Sequence, residues 1–543
     1  MNELPVEPLQ WGLALVPLVL LLVLLAGLHW KAPEAGPIGL FVAAGIALLA
    51  FEAPLEVLAV ASGKGIWDAI FILYVIWPAL LLYRVVDRAG AFEALHAGIE
   101  QFSRNQLFLV LAFGWVFASF LQGITGFGVP IAVVAPLLIG LGVRPLYAVV
   151  IPLIGHAWAN LFGTLAVAWL ATERVATLEN ELATMVQTGL LLWIPNLLAG
   201  LAICWLFGRM TSVAHGLPMV LLISAIHGGV QLGLVFVNPV LSAFVAGTVA
   251  LVALYPLSRW SRYRDPHEEA DPQVLDEDRF AEEQAPEPVM GLPMALMPYA
   301  VLTVLTIAVI LPAPVEAFLE QLEVGPSFPA VEAGFGQQVE AEQPYSPFAP
   351  LTHPGTFLLI SAGIAWLIYR WRGAYRSWAE RAEPTPIVQG VIGDGVPASV
   401  AVASFLVMST IMADSGQTDV LALGISEVAP PLVFALLAPM IGMIGSFMTS
   451  SNTASNILFV PLQEQAAGAL DLQQSTIVAG QNAGGAVGNS VSPANVVLGT
   501  GTAGIIGSEG KVLRMVLPWA GIAVLLIGAG VVGLELFFPG GGE

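Results

Sequence analysis

The chain has 543 residues, 57 % of them hydrophobic and only 10 % charged. Soluble globular chains carry about 25 % charged residues, so this composition cannot clothe an ordinary water-exposed surface. With 18 Lys and Arg against 39 Asp and Glu, the net charge is −21, which excludes nucleic-acid binding through a basic surface.

The remaining class is an all-α polytopic membrane protein, whose spans are runs of about 17–25 mainly apolar residues. The first run, near 11–29, follows MNELPVEPLQ. That segment has no basic n-region, so a retained span is expected and not a cleaved signal. Further runs lie near 37–52, 66–83, 106–142, 146–170 and 185–208. Two more, near 216–236 and 238–256, precede a charged segment at 258–290. The rest fall near 292–311, 354–370, 387–412, 428–470, 473–507 and 514–537. Cys204 is the only cysteine, which excludes a disulfide framework and a cysteine metal site. Neither a metal nor a cofactor is expected.

Lys and Arg in short loops mark the cytoplasmic side. Lys31, Arg84, Arg104, Arg144, Arg209, Arg259, Arg262, Arg264, Arg372, Arg376, Arg381, Lys511 and Arg514 are expected there. The stretch 313–352 has several Glu but no Lys or Arg, and is expected outside. Lys64 and Arg174 fall on the external side and run against this scheme. Because Arg104 and Arg144 both belong inside, 106–142 must enter and leave on one side, and 428–470 must likewise begin and end outside. Their middles, GITGFGVP at 123–130 and TSSNTASN at 449–456, are rich in Gly, Ser and Asn. Such backbone is tolerated at membrane depth only when shielded by protein or lining a cavity. Two re-entrant hairpins are therefore expected beside about 12 full spans.

The order of elements repeats. Residues 1–210 (hairpin about 106–142, broken span about 146–170) and 291–543 (external loop 313–352, hairpin about 428–470, broken span about 473–507) are expected to be two inverted repeats. Linking spans in 211–257 and an acidic cytoplasmic loop at 258–290 would join them. Paired broken helices in an inverted repeat place a transporter's binding site at the breaks.

Chemistry is concentrated there. Ser450, Ser451, Asn452, Thr453, Ser455 and Asn456 bring hydroxyls and amides into apolar surroundings, where polar groups need partners or a ligand. A hairpin tip also offers helix N-termini to a carboxylate. In QNAGGAVGNSVSPAN (481–495), Gly484, Gly485 and Gly488 allow close backbone approach, and Asn482 and Asn489 are candidate contacts. Gln122 to Gly128 form the matching break of the first half. His156 and Asn160 follow it, four residues apart, which on a helix is one face. Among further ionisable groups at the apolar runs, a costly placement, Asp68 is expected to begin a span and Asp414 to end one, Glu464 follows the TSSNTASN tip, and His227 sits in AIHGGVQ. No arginine is evident in mid-span, so an anion is expected to be held without an arginine clamp. GIIGSEGKV (504–512) lacks the spacing of a phosphate loop, and no catalytic constellation is present, so an enzyme is not expected.

GITGFGVPIAVVAPLLIGLGVRPLYA (123–148), SNTASNILFVPLQ (451–463) and AGQNAGGAVGNSVSPANVVLGTGTAGIIGSEGKVLR (479–514) resemble the L-lactate permease family. The resemblance implies import of L-lactate, with D-lactate or glycolate in relatives, by proton symport across the cell membrane of a prokaryote. It marks Thr125, Gly126, Gly128, Asn452, Thr453, Asn482 and Asn489 as substrate-site candidates, joined by Ser451 from the hairpin tip. Relatives commonly carry an acidic residue where this chain has Gln122. His156 is then the leading carrier of a coupling proton, since histidine titrates near pH 6.5, with Asp414 and Asp68 after it. The alternatives are a sodium-coupled transporter of another small organic anion and an anion channel. The expected partners are the organic anion, its coupling ion and the bilayer, with a homodimer as a further expectation.

Overall fold

Long apolar runs with few charges fold here as helices, because a buried or lipid-facing backbone must satisfy its own hydrogen bonds. The structure, a computed structural model, describes residues 7–28, 30–100, 103–126, 128–265, 274–275, 288–310, 312–380 and 385–537. Phe127 and most of the 258–290 segment lie outside these. In chain order run α1 (Pro8–Leu22), α2 (Ala32–Ala50), α3 (Leu55–Asp87), α4 (Ala91–Glu100), α5 (Gln106–Ile124), α6 (Val129–Gly140), α7 (Pro145–Gly155), α8 (Gly163–Val175), α9 (Glu181–Val235) and α10 (Ser242–Arg259). After the charged segment come α11 (Leu292–Ile310), α12 (Pro354–Trp371), α13 (Ile387–Asp414), α14 (Gln417–Val428), α15 (Pro431–Thr449), α16 (Asn452–Ala469), α17 (Gln474–Ser490), α18 (Pro493–Thr502) and α19 (Glu509–Phe537). Proline opens α7, α12, α15 and α18, where its fixed φ suits the first turn and its missing N–H has no intrahelical acceptor to lose.

Ten described helices are long and apolar enough to cross a membrane, fewer than the full spans expected from the sequence. The ten include one arm of each expected hairpin, Gln106–Ile124 and Pro431–Thr449, and leave out α12 and the broken segments. Helices α6 and α7 are apolar but short, and α16 and α17 carry many Asn, Gln, Ser and Gly. Helix α9 has 55 residues, a straight length of about 80 Å and far beyond one bilayer core. It kinks at Gly208 and Arg209, the latter at φ 57°, so its two arms match the runs read at 185–208 and 216–236. The fold is also not wholly helical. Strands β1 (Val331–Glu332) and β2 (Gln338–Val339) pair antiparallel inside the 313–352 segment.

Two packed groups frame the cavity. Helix α3 lies antiparallel along α13 and also packs on α12, while α13 packs on α2. Across from them, α15, α16 and α17 pack together and reach α8 and α9. Helices α15 and α17 meet backbone to backbone: a Cβ at Gly484 would overlap the Pro439 main chain, and one at Gly488 the Met443 main chain. Small residues at such contacts let helices approach where lipid offers no hydrophobic drive. Helix α5 is wholly buried, which shields the polar break that follows it.

Candidate functional site

A cavity of about 460 Å³ opens where the breaks of both halves face α2, α3 and α13. One wall combines apolar and charged groups: Ile76, Leu80, Tyr83 and Arg84 of α3, Asp394, Pro397 and Val402 of α13, and Ala32 and Pro33 of α2. The opposite wall is polar, with Gln122, Gly128, Asn160, Thr164, residues 449–453, Asn489 and Asn495. Four helices point their N-terminal turns at it, namely α2, α6, α16 and α18. Each such end carries about half a positive charge from its aligned peptide dipoles, opposed at α2 by Glu34 in its first turn. The cavity's field therefore suits an anion.

The breaks are made locally by backbone that leaves the right-handed helix. Gly128, at φ 79°, precedes α6, a conformation that costs glycine little. Ser450, at φ 54° and ψ 30°, turns the chain between α15 and α16. Ser451 then caps α16, its Oγ accepting from the Ala454 N–H at 3.1 Å, and the Thr449 hydroxyl donates to the Ser451 carbonyl at 2.9 Å. In α8, Thr164, Leu165 and Ala166 take φ of 52°, 51° and 61°. Left-handed backbone costs L-residues roughly 1–2 kcal/mol each, and it persists where surrounding packing fixes it, commonly at ligand sites.

An amide chain runs along the polar wall. Asn489 donates to Asn160 Oδ1 at 3.2 Å, Asn160 donates to the Ala486 carbonyl at 2.8 Å, and Asn495 donates to the Asn489 carbonyl at 2.7 Å. Asn452 differs. It lines the cavity, yet its Nδ2 is buried with no hydrogen-bond partner. A buried donor left unpaired costs about 1–3 kcal/mol, which an acceptor on a ligand would offset.

The sequence-predicted residues divide cleanly. Gly128, Ser451, Asn452, Thr453 and Asn489 line the cavity, and so does Gln122. Thr125 does not, and its hydroxyl donates to Leu121 of its own helix at 2.8 Å. Gly126 backs onto the Thr164 side chain. Asn482 lies in a buried seam between α8, α16 and α17, its Oδ1 accepting from Thr172 at 2.9 Å while Asn456 donates to Thr172 Oγ1 at 3.0 Å. His156 is buried away from the cavity with Nδ1 at 2.6 Å from the Pro152 carbonyl. The expected shared face with Asn160 does not form, because α7 ends at Gly155 and a 3₁₀ turn carries Ala157–Asn160.

Asp68 and Asp414 sit at the other end of the α3–α13 pair. Asp68 does not begin its span, since α3 starts at Leu55. It accepts from Tyr345 Oη at 2.7 Å and lies 3.8 Å from Arg174. Asp414 lies 3.8 Å from Lys64, which donates to Glu342 at 2.9 Å. Lys64 and Arg174, the two cations that ran against the charge rule, are thus both committed to ion pairs.

The end of α3 adds a residue that the sequence reading placed in a loop. An arginine does face the cavity: Arg84, paired with Asp394. The charge rule assigned it to a loop, but α3 continues to Asp87, so Arg84 occupies the helix's last turn. Asp394 lies in a glycine-rich stretch, VIGDGVP, and carried no local signal beyond an acid inside an apolar run.

Comparison with known proteins places the whole chain. The profile of the family described as L-lactate permease matches residues 12–537. An L-lactate permease of Halalkalibacterium halodurans is 27 % identical over 520 residues, covering 93 % of each chain. The glycolate permease GlcA of Escherichia coli is 27 % identical over 544 residues, covering 95 % of this chain and 94 % of its own. Among solved structures, the YdaH transporter of Alcanivorax borkumensis aligns with a TM-score of 0.46 at 15 % identity, covering 88 % of this chain and 87 % of that one.

Proposed function

The chain belongs to the L-lactate permease family, and we propose that it is a secondary transporter importing L-lactate, or a closely similar small monocarboxylate, by symport with protons. Its relatives are named permeases, and the chain is a multi-pass membrane transporter, not an enzyme. The observation that carries the substrate reading is the convergence of four helix N-termini and the unpaired Asn452 amide on one cavity. A carboxylate would accept from Asn452 and from the free N–H groups of α16, while Asn489, Asn160 and Thr453 would meet its hydroxyl. At about 30 Å³ per water, 460 Å³ holds on the order of 15 waters. A small hydroxyacid fills a fraction of that, so charge and hydrogen bonding select it more than size does. We take the two halves as inverted repeats in the cell membrane of a prokaryote, with 313–352 outside and 258–290 in the cytoplasm.

Sodium is the second reading for the coupling ion. It is favoured by the oxygen-rich breaks at Ser450 and Thr164, where unwound carbonyls and hydroxyls could ligate it. Purified protein in liposomes loaded with unlabelled L-lactate should take up labelled L-lactate by counterflow. An inward proton gradient without sodium should then drive accumulation. Linear, non-saturating flux would overturn the transporter mechanism, and accumulation that needs sodium and ignores the proton gradient would replace the proton.

A further inference from the structure

We propose that Arg84 receives the carboxylate of the transported monocarboxylate, and that Asp394 is a tethered stand-in for it, displaced when substrate arrives and then neutralised by a proton. The inference rests on reading the cavity as a monocarboxylate site.

The guanidinium is held ready on one side and left free on another. Its shaft and Nε lie over Gly390, where a Cβ would meet Nε at 2.5 Å and Cδ at 2.8 Å, and its charge sits 5.0 Å from the centre of the Tyr83 ring. Nη2 pairs with Asp394, while Nε is buried without a partner. Arg84 is the one Lys or Arg among the described residues lining the cavity. A guanidinium fork matches a carboxylate in two parallel hydrogen bonds, and Asp394 uses only part of that capacity. Asp394 is also the more accessible partner, its side chain 44 % exposed against 18 % for Arg84. The aspartate is therefore the member of the pair that an incoming anion can reach.

Charge conservation then links substrate to proton. With Arg84 and Asp394 paired, the cavity wall is neutral. If a monocarboxylate takes the guanidinium, Asp394 becomes a surplus anion beside a second one. Two carboxylates sharing one site favour protonation of one of them, and one proton from the open face relieves their repulsion. One anion and one proton then move together, without a titrating group at Gln122 or at His156. The other charged or titratable groups around the pair are Tyr83, Asp87 and Arg88 on α3 and Glu93 on α4. Of these only Tyr83 reaches the cavity. Helix α2 contributes Ala32 and Pro33, and the opposite wall contributes amides and hydroxyls.

The test uses the full chain in liposomes, with labelled L-lactate as probe and two readouts: counterflow exchange and proton-driven accumulation. Arg84→Gln should raise the half-saturating concentration for exchange about ten- to hundredfold, the loss of hydrogen bonds to a charged group, and Arg84→Lys should raise it less. Asp394→Asn weakens the tethered competitor, so it should lower the half-saturating concentration for exchange and should no longer accumulate lactate on a proton gradient. A pair that merely braces α3 against α13 predicts something else: both variants lose exchange together. That parallel loss, wild-type exchange in Arg84→Gln, or intact proton-driven accumulation in Asp394→Asn would each overturn the proposal. If Arg84→Gln fails to fold, Arg84→Lys and Asp394→Asn decide. Absence of exchange in the wild type would overturn the monocarboxylate reading itself, and this inference with it.

Discussion

Helix α3 runs antiparallel to α13, and each end of the pair sets a cation of α3 against an aspartate of α13: Lys64 with Asp414, and Arg84 with Asp394. The two levels are about 30 Å apart at the rise of an α-helix. Their surroundings are opposite. At the Lys64 end, the 313–352 segment closes over the helices. Glu342 accepts from Lys64, Tyr345 donates to the fully buried Asp68, and the Ser346 carbonyl accepts from Trp67 at 3.1 Å and from Arg174 at 2.6 Å. Arg174 also lies 3.6 Å over the Phe71 ring. At the Arg84 end the guanidinium packs on Gly390 and Tyr83, and the Asp394 carboxylate opens on the cavity. A cation–aspartate pair thus gives a fastening where it is buried and networked, and an exchangeable pair where its carboxylate is exposed.

The sharpest way to break this comparison is to remove Arg174. Arg174→Ala leaves Asp68 buried without its cation, which should destabilise the fold by about 3–5 kcal/mol. Arg84→Gln should cost about 1 kcal/mol or less, as for exposed pairs. Thermal unfolding in detergent measures both, and equal losses would erase the distinction between the two ends.

A second contrast separates the cavity from the buried seam behind it. Asn452→Ala should raise the half-saturating lactate concentration about ten- to hundredfold with little change in unfolding temperature. Asn482→Ala removes the Thr172–Asn482 hydrogen bond and leaves the Thr172 hydroxyl its bond to the Ala168 carbonyl at 3.2 Å, so it should cost about 0.5–1.5 kcal/mol of stability and leave half-saturation nearly unchanged. The reverse pattern would move the substrate to the seam.

Acid should loosen the covered end before the open one. His353, at the edge of the 313–352 segment, packs against Phe71 with ring centres 4.6 Å apart. Burial, with Arg174 nearby, lowers its pKa from 6.5 to about 3. The unfolded chain therefore binds this proton below pH 6.5 and the folded chain only near pH 3. Stability falls as pH drops through that window, by on the order of 1 kcal/mol per pH unit. His353→Gln should flatten this part of the pH–stability curve, and an unchanged slope would assign it to other groups. Ser451→Ala removes the cap of α16 and should lower stability by about 1 kcal/mol, measured by the same thermal unfolding.

Much of this was legible in the sequence, and the residues say why. The breaks could be read because glycine, serine and asparagine inside an apolar run have few other uses, and Gly128, Ser451, Asn452, Thr453 and Asn489 do line the cavity. Asn482 belongs to the same motif, but its neighbour in sequence does not reveal which helix it faces. The ion pairs were out of reach. Arg84 meets Asp394 across 310 residues and Lys64 meets Glu342 across 278, and no local pattern records such a meeting. Loop-charge counting treats each cation as free, whereas Arg84, Lys64 and Arg174 are all paired. His156 misled differently, because helical spacing was assumed across a break.

The most direct test of the central claim is substrate protection of the cavity. Cys204, the sole native cysteine, is buried, so a cysteine placed at Ala398 on the α13 wall reports alone. L-lactate should slow its reaction with a small polar thiol reagent, half-maximally at the concentration that half-saturates exchange, and should leave a cysteine at Ser346 unaffected. A labelling rate at Ala398→Cys that saturating lactate does not change, in protein that still exchanges lactate, would contradict the assignment of this cavity as the transport site.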